Sequence, residues 1–235
     1  MKQLPLPMHL PARDGFDALV VGRNDHAVAH LRGLLPGAGV AAPVYLWGDA
    51  GSGKTRLLRA LASQHQAQGE RIGWFDAGDA LPWLLDEAWS LVVVDRCEAL
   101  DAAHQQAAFA LFVEAGTHGV QWAAAGRLPT VDLPARDDLR TRLGWGHVFA
   151  LQPLAEGETR AALRREADRR GILLPDEVIA YLLARHERDM VHLMAVLDRL
   201  DGFSLAEKRH ITVPLLKKMM AESAPTRAPT PAPAP

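Results

Sequence analysis

A parallel α/β sheet flanked by helices and followed by a small all-helical segment is the architecture this sequence predicts, and three observations predict it. Short apolar runs alternate with helical patterns through the first two thirds of the chain, a glycine-rich loop joins the first of those runs to a helix, and beyond Pro153 the strand-like runs stop. Strands that alternate with helices need crossover connections, so the sheet is parallel and covered on both faces.

The elements follow in order. Residues 1–12 are short, apolar and punctuated by Pro5, Pro7 and Pro11, which push their predecessors out of the helical region and make an extended tail. Asp25 to Leu35 fits a helix ended by Pro36-Gly37. Val44 to Trp47 reads as a buried strand, Lys54 to Gln68 as the helix behind it, and Ile72 to Phe75 as a second strand. Leu91 to Asp95 is the most strand-like run, Ala102 to Ala115 is helical, and Val120 to Ala125 and Val148 to Leu151 close the series. These runs define an α/β domain at residues 13–153. Glu156 to Arg170, Asp176 to Arg185, Met190 to Leu200 and Val213 to Met220 are helical patterns and define a second domain at 154–222. Residues 223–235 are Ala, Pro, Thr and Ser with one Arg227, a composition that buries no core.

Composition sets bounds on function. Of 235 residues 49% are apolar and 23% charged, ordinary for a globular protein, and the net charge of −2 argues against wrapping nucleic acid or lying on an anionic membrane. No apolar run approaches the ~18 residues of a membrane span, and the N-terminus lacks a signal-peptide core. The single cysteine, Cys97, forms no internal disulfide and fits a reducing cytoplasm.

The pattern G-x-x-x-x-G-K-[ST] occurs as Gly48-Asp49-Ala50-Gly51-Ser52-Gly53-Lys54-Thr55, between a strand and a helix as that motif requires. Glycines let successive N–H groups turn inward toward phosphate oxygens at the positive end of the helix. Lys54 is placed to reach the β- and γ-phosphates of ADP or ATP, and Thr55 to offer its hydroxyl to Mg²⁺. Asp95 ends the Leu91–Val94 run, where a carboxylate orients water on Mg²⁺ or merely caps a loop. The following position is Arg96, which stays protonated and so is no base. The run Asp138 to Gly146 carries Arg140 and Arg142, either a solvated, ion-paired face or arginines projecting into a neighbouring subunit's nucleotide. Arg188 heads a helix of the second domain, as a surface charge or as a clamp over phosphates. His26 and His30 lack a third metal ligand and read as surface histidines, Trp47, Trp74 and Trp122 as core, and Lys217-Lys218 as a solvated face rather than a DNA-reading patch.

Taken together, the tail Gln3-Leu4-Pro5-Leu6-Pro7-Met8, the loop from Leu46 to Leu58 and the run Arg140-Thr141-Arg142-Leu143-Gly144-Trp145-Gly146 followed by Leu151-Gln152-Pro153-Leu154 resemble the Hda-type DnaA regulatory inactivators, AAA+ relatives of the replication initiator DnaA. The resemblance implies an AAA+ P-loop sheet followed by a helical lid. It implies that Gln3, Leu4, Leu6 and Met8 dock on the DNA-loaded sliding clamp of the replicative polymerase, and that the protein then stimulates hydrolysis of DnaA-bound ATP. It assigns Arg142 to the trans-acting arginine, Arg188 to the sensor contacting nucleotide in cis, Arg56 to the loop's own nucleotide contacts, and Val21-Gly22 to the adenine side.

Two departures stand out: Arg96 occupies the usual acidic position after Asp95, and Gly126 falls where a polar sensor is expected. Both weaken hydrolysis in cis and leave Arg142 intact. DnaA itself adds a C-terminal helix-turn-helix domain, for which the stretch after the last helix is too short. A DnaA-like recruiting or loading factor and a self-contained P-loop kinase or ATPase are the competing expectations. A homo-oligomer remains open.

Overall fold

The computed structural model describes residues 15–37, 42–185 and 190–222. The five apolar runs become five strands: β1 (Val44–Trp47), β2 (Arg71–Phe75), β3 (Trp89–Val94), β4 (Gln121–Gly126) and β5 (His147–Ala150). All pair in parallel in the order β2-β3-β4-β1-β5. Every residue of β4 and the last four of β3 are buried, so these strands appear in the sequence as unbroken apolar runs rather than alternating ones.

Alternate residues of the central strands feed two separate cores. Val44, Leu46, Leu91, Val93, Ala123 and Ala125 pack on one face with α1 (Asp25–Gly33) and α2 (Lys54–Ala67). Tyr45, Val92, Val94, Trp122 and Ala124 pack on the other with α3 (Ala102–His118) and α4 (Asp137–Leu143). A fully buried histidine staples the first layer. His65 of α2 lies 2.7 Å from Ser90 Oγ and 3.2 Å from the Leu34 carbonyl. That carbonyl only accepts, so Nε2 carries the proton and Nδ1 accepts from the serine.

Most boundaries fall within three residues of those read from the sequence. The first helix stops at Gly33, with Leu34 bonding back to Leu31. Helix α3 runs three residues further than its apolar pattern, to His118, where Gly119 at φ 71° ends it in the left-handed conformation.

The chain divides into two compact units, one reaching Thr159 and one from Arg160 onward. The helices α5 (Glu156–Arg169), α6 (Asp176–Arg185), α7 (Met190–Glu207) and α8 (Val213–Glu222) follow the sheet. Leu163, Ile179, Leu182, Leu193, Leu197, Leu200 and Leu216 form the core of the second unit. The third helix of this group is longer than read: Gly202 does not break it, because Phe203 continues the apolar face onto the same core. Among the described residues no helix is long and apolar enough to cross a membrane.

Burial holds the His65 imidazole below its usual pKa of 6.5. The unfolded chain therefore binds a proton below about pH 6.5 that the folded chain refuses, and stability falls as pH drops through that value. Urea denaturation between pH 7.5 and 5.5 is expected to show this loss, and His65→Gln to flatten it.

Candidate functional site

The glycine loop leaves the C-terminal end of β1 and enters α2. Gly48, Gly51 and Gly53 take φ values of 151°, 77° and 97°, which side-chain-bearing residues rarely adopt. Gly48 is the most constrained, since a Cβ there would stand 2.5 Å from the Leu151 carbonyl oxygen. Asp49 and Ala50 are exposed at the loop's crest, and Ser52 is buried beneath it. The Lys54 ammonium donates to the carbonyl oxygens of Gly48 and Asp49 at 2.7 and 2.8 Å and to Ser52 Oγ at 3.3 Å. Burial lowers the Lys54 pKa, while the carboxylates of Glu98 and Asp95 push the other way.

Asp95 sits one residue past β3 and is 4% exposed. Its Oδ2 accepts from the Thr55 hydroxyl at 2.7 Å and its Oδ1 from the Arg96 N–H at 2.9 Å. The structure thus brings Lys54, Thr55 and Asp95 together at the strand ends, as the sequence pattern implies. A hydroxyl and a carboxylate are hard oxygen donors that suit Mg²⁺, with phosphate and water supplying the remaining ligands. Among the described residues no group of three or more His, Cys, Asp or Glu side chains could hold a metal alone.

The segment after β5 joins the loop to the N-terminal turn. Asn24 exchanges two hydrogen bonds with the Gln152 backbone, at 2.9 and 2.8 Å. Gly22, at φ 58°, packs so closely on Leu154 that a Cβ would lie 2.9 Å from it. Val21 and Gly22 are therefore held beside the same stretch that Gly48 touches. Arg56 points its guanidinium at the Ala18 carbonyl, 3.3 Å away, and so fastens α2 to that turn.

Arg96 adopts a left-handed φ of 54° and pairs with Asp76, just beyond β2, at 2.6 Å. Gly126 has a steric cause. The fully buried Tyr45 donates its hydroxyl to the Leu128 carbonyl at 2.8 Å, and that hydroxyl occupies the space a Cβ at 126 would need. Sequence reading missed both Tyr45 and Glu98, whose Oε2 accepts from the Arg127 N–H at 3.0 Å. An acid three residues beyond Asp95 was the available signal for Glu98; nothing local marked Tyr45.

The arginines of α4 and its cap separate into two kinds. Arg136 pairs with Asp138 at 2.7 Å and Arg140 with Asp137 at 2.5 Å. Arg142 has no carboxylate partner among the described residues and stacks 4.6 Å from the ring of Trp145, itself 69% exposed. The helix runs through Gly144–Gly146 into the start of β5, whereas the glycine loop follows the end of the parallel β1. Four residues of strand, about 13 Å, separate the two ends. Gln3, Leu4, Leu6, Met8 and Arg188 lie outside the described residues.

Fold and loop together give a five-stranded parallel sheet with a P-loop-type glycine loop between β1 and α2. Domain III of the replication initiation protein DnaA from Thermotoga maritima matches with a TM-score of 0.76 at 19% identity, over 91% of this chain and 98% of that one. AMPPCP-bound DnaA from Aquifex aeolicus matches at 0.62 and 18% identity, over 85% and 70%. The RuvB Holliday junction branch migration motor of Thermotoga maritima matches at 0.60 and 18%, over 86% and 69%. More narrowly, residues 156–220 match the family described as the Hda lid domain. That match covers the helical segment alone, and the likeness to DnaA domain III shows the fold of the whole.

Because Tyr45 fills the space beside Gly126, Gly126→Ser is expected to destabilise the fold by about 1–3 kcal/mol through overpacking. In a Tyr45→Phe background the cost should shrink. A double-mutant cycle in urea measures the coupling.

Proposed function

We propose that this chain is a negative regulator of chromosomal replication initiation that binds ADP or ATP with Mg²⁺, docks on the DNA-loaded sliding clamp, and stimulates hydrolysis of ATP held by DnaA. The observation that carries the reading is Arg142. It is unpaired with any carboxylate among the described residues and lies at the sheet end opposite the loop that would hold this chain's own nucleotide. An arginine so placed serves a neighbour's phosphates better than its own.

Three further features support it. The Lys54, Thr55 and Asp95 cluster has the donors and the buried carboxylate that a nucleotide with Mg²⁺ needs. The lid match points to Hda rather than to AAA+ motors at large. In sequence the tail sets Gln3, Leu4, Leu6 and Met8 among Pro5 and Pro7, a pattern that would fill a groove at low ordering cost. Arg188 would contact the nucleotide, and Val21-Gly22 would flank the base. When bound, Mg²⁺ would neutralise phosphate charge. Thr55 and Asp95 would orient its ligands, and Lys54 would hold the phosphates in place.

Two measurements test the reading. With radiolabelled ATP on DnaA, loaded clamp and DNA, Arg142→Ala should lower stimulation by about 10³-fold or more at equal clamp occupancy, the scale of a lost arginine finger. Its affinity for ADP should stay within a few fold, and normal stimulation by the variant would reduce Arg142 to a surface charge. Separately, alanine at Gln3, Leu4 and Leu6 together is expected to abolish capture by immobilised clamp while the melting temperature holds. Clamp capture that survives the triple change rules out the tail as the docking element.

A further inference from the structure

We propose that Glu98 polarises the attacking water in hydrolysis of this chain's own ATP, a role the neighbouring Arg96 cannot take. The inference rests on reading Gly48–Thr55 as an ATP site. Sheet order gives the two sides of Asp95 different meanings. In β2-β3-β4-β1-β5, the end of β4 lies on the loop's side of β3 and the end of β2 lies away from it.

The chain turns sharply after Asp95. Arg96 takes the left-handed conformation and sends its guanidinium away from the loop, to Asp76 beyond β2. The short 3₁₀ turn Cys97–Ala99 then brings Glu98 back toward the loop's side. There its Oε2 meets the Arg127 N–H at the end of β4 and lies 3.3 Å from the point a Cβ of Gly126 would occupy. A side-chain carboxylate from β3's exit thus lies at the end of β4, beside the space at Gly126 that the Tyr45 hydroxyl fills.

A second observation agrees. The Glu98 carboxylate is only half-buried, so water can reach it, an exposure compatible with that role.

The step balances simply. A water oxygen bonds to the γ-phosphorus as the bond from that phosphorus to the β–γ bridging oxygen breaks. The water's proton passes to Glu98 and then to the released phosphate, leaving ADP and inorganic phosphate. A positioned base contributes roughly 10²–10⁴ in rate. A purely structural Glu98 would only tie the end of β4 through the Arg127 N–H, and Glu98→Gln separates the two roles: the amide oxygen still accepts that bond but takes no proton.

The experiment is single-turnover hydrolysis of radiolabelled ATP by the full chain in excess, with Mg²⁺ and without DnaA, clamp or DNA. Lys54→Ala sets the background. Wild type should convert ATP above that background, and Glu98→Gln should be slower by about 10²-fold or more. Calorimetric affinity for ADP and AMPPCP and the melting temperature should hold in the glutamine variant. Wild-type turnover no higher than Lys54→Ala, a glutamine variant as fast as wild type, or turnover lost together with affinity or melting temperature would each overturn the proposal. A wild-type chain that binds neither ADP nor AMPPCP overturns it along with the ATP site. Stimulation of DnaA is read in a separate reaction, so its failure counts against the regulatory reading and not against Glu98.

Discussion

The hydrogen bond from the Thr55 hydroxyl to the buried Asp95 carboxylate is the contact on which the site depends. It joins the start of α2 to the exit of β3 across the end of an intervening strand, β4, whose Ala123–Ala125 are small and wholly buried. A buried carboxylate is costly unless its lone pairs are filled. Thr55 fills one oxygen and the Arg96 N–H the other. With Asp95 fixed, the residues after it have little freedom. The left-handed Arg96, the Arg96–Asp76 pair and the return of Glu98 to β4 all follow from how the chain leaves that anchored position.

Much of the fold was legible because of what burial does to a sequence. Strands covered on both faces cannot alternate, so Leu91–Val94 and Val120–Ala125 stand out as runs, and the glycine loop between Trp47 and Lys54 fixes the direction of the first crossover. Helix ends were less legible. The pattern read from Met190 ends at Leu200, yet the helix continues past Gly202 because packing of Phe203 outweighs the cost of a helical glycine, about 1 kcal/mol.

The site was legible only in part, and the division has a physical cause. Lys54, Thr55 and Asp95 belong to local patterns whose geometry their own elements impose. Arg96 turns toward Asp76 and Glu98 toward the end of β4 after a single positive φ at Arg96, which no pattern of residue types announces for arginine. Tyr45 governs Gly126 from a different strand, since pairing sets Trp47 opposite Gly126 and lets the tyrosine ring reach the end of β4. Arg142 was one of two readings in sequence. The separation of its paired neighbours, Arg136 and Arg140, from its own stacked guanidinium needed coordinates.

The lysine of the loop is already engaged: Gly48, Asp49 and Ser52 together give its ammonium three oxygen acceptors. Any incoming molecule must therefore compete with the protein's own dipoles for that cation. A neutral hydroxyl or amide offers nothing better than a backbone carbonyl and gains little by displacing one. An anionic oxygen does offer more, because a charge-assisted bond is roughly twice as strong as one between neutral groups. The loop is in this sense a discriminator of charge, since an anionic oxygen is the acceptor that outmatches those the protein itself supplies.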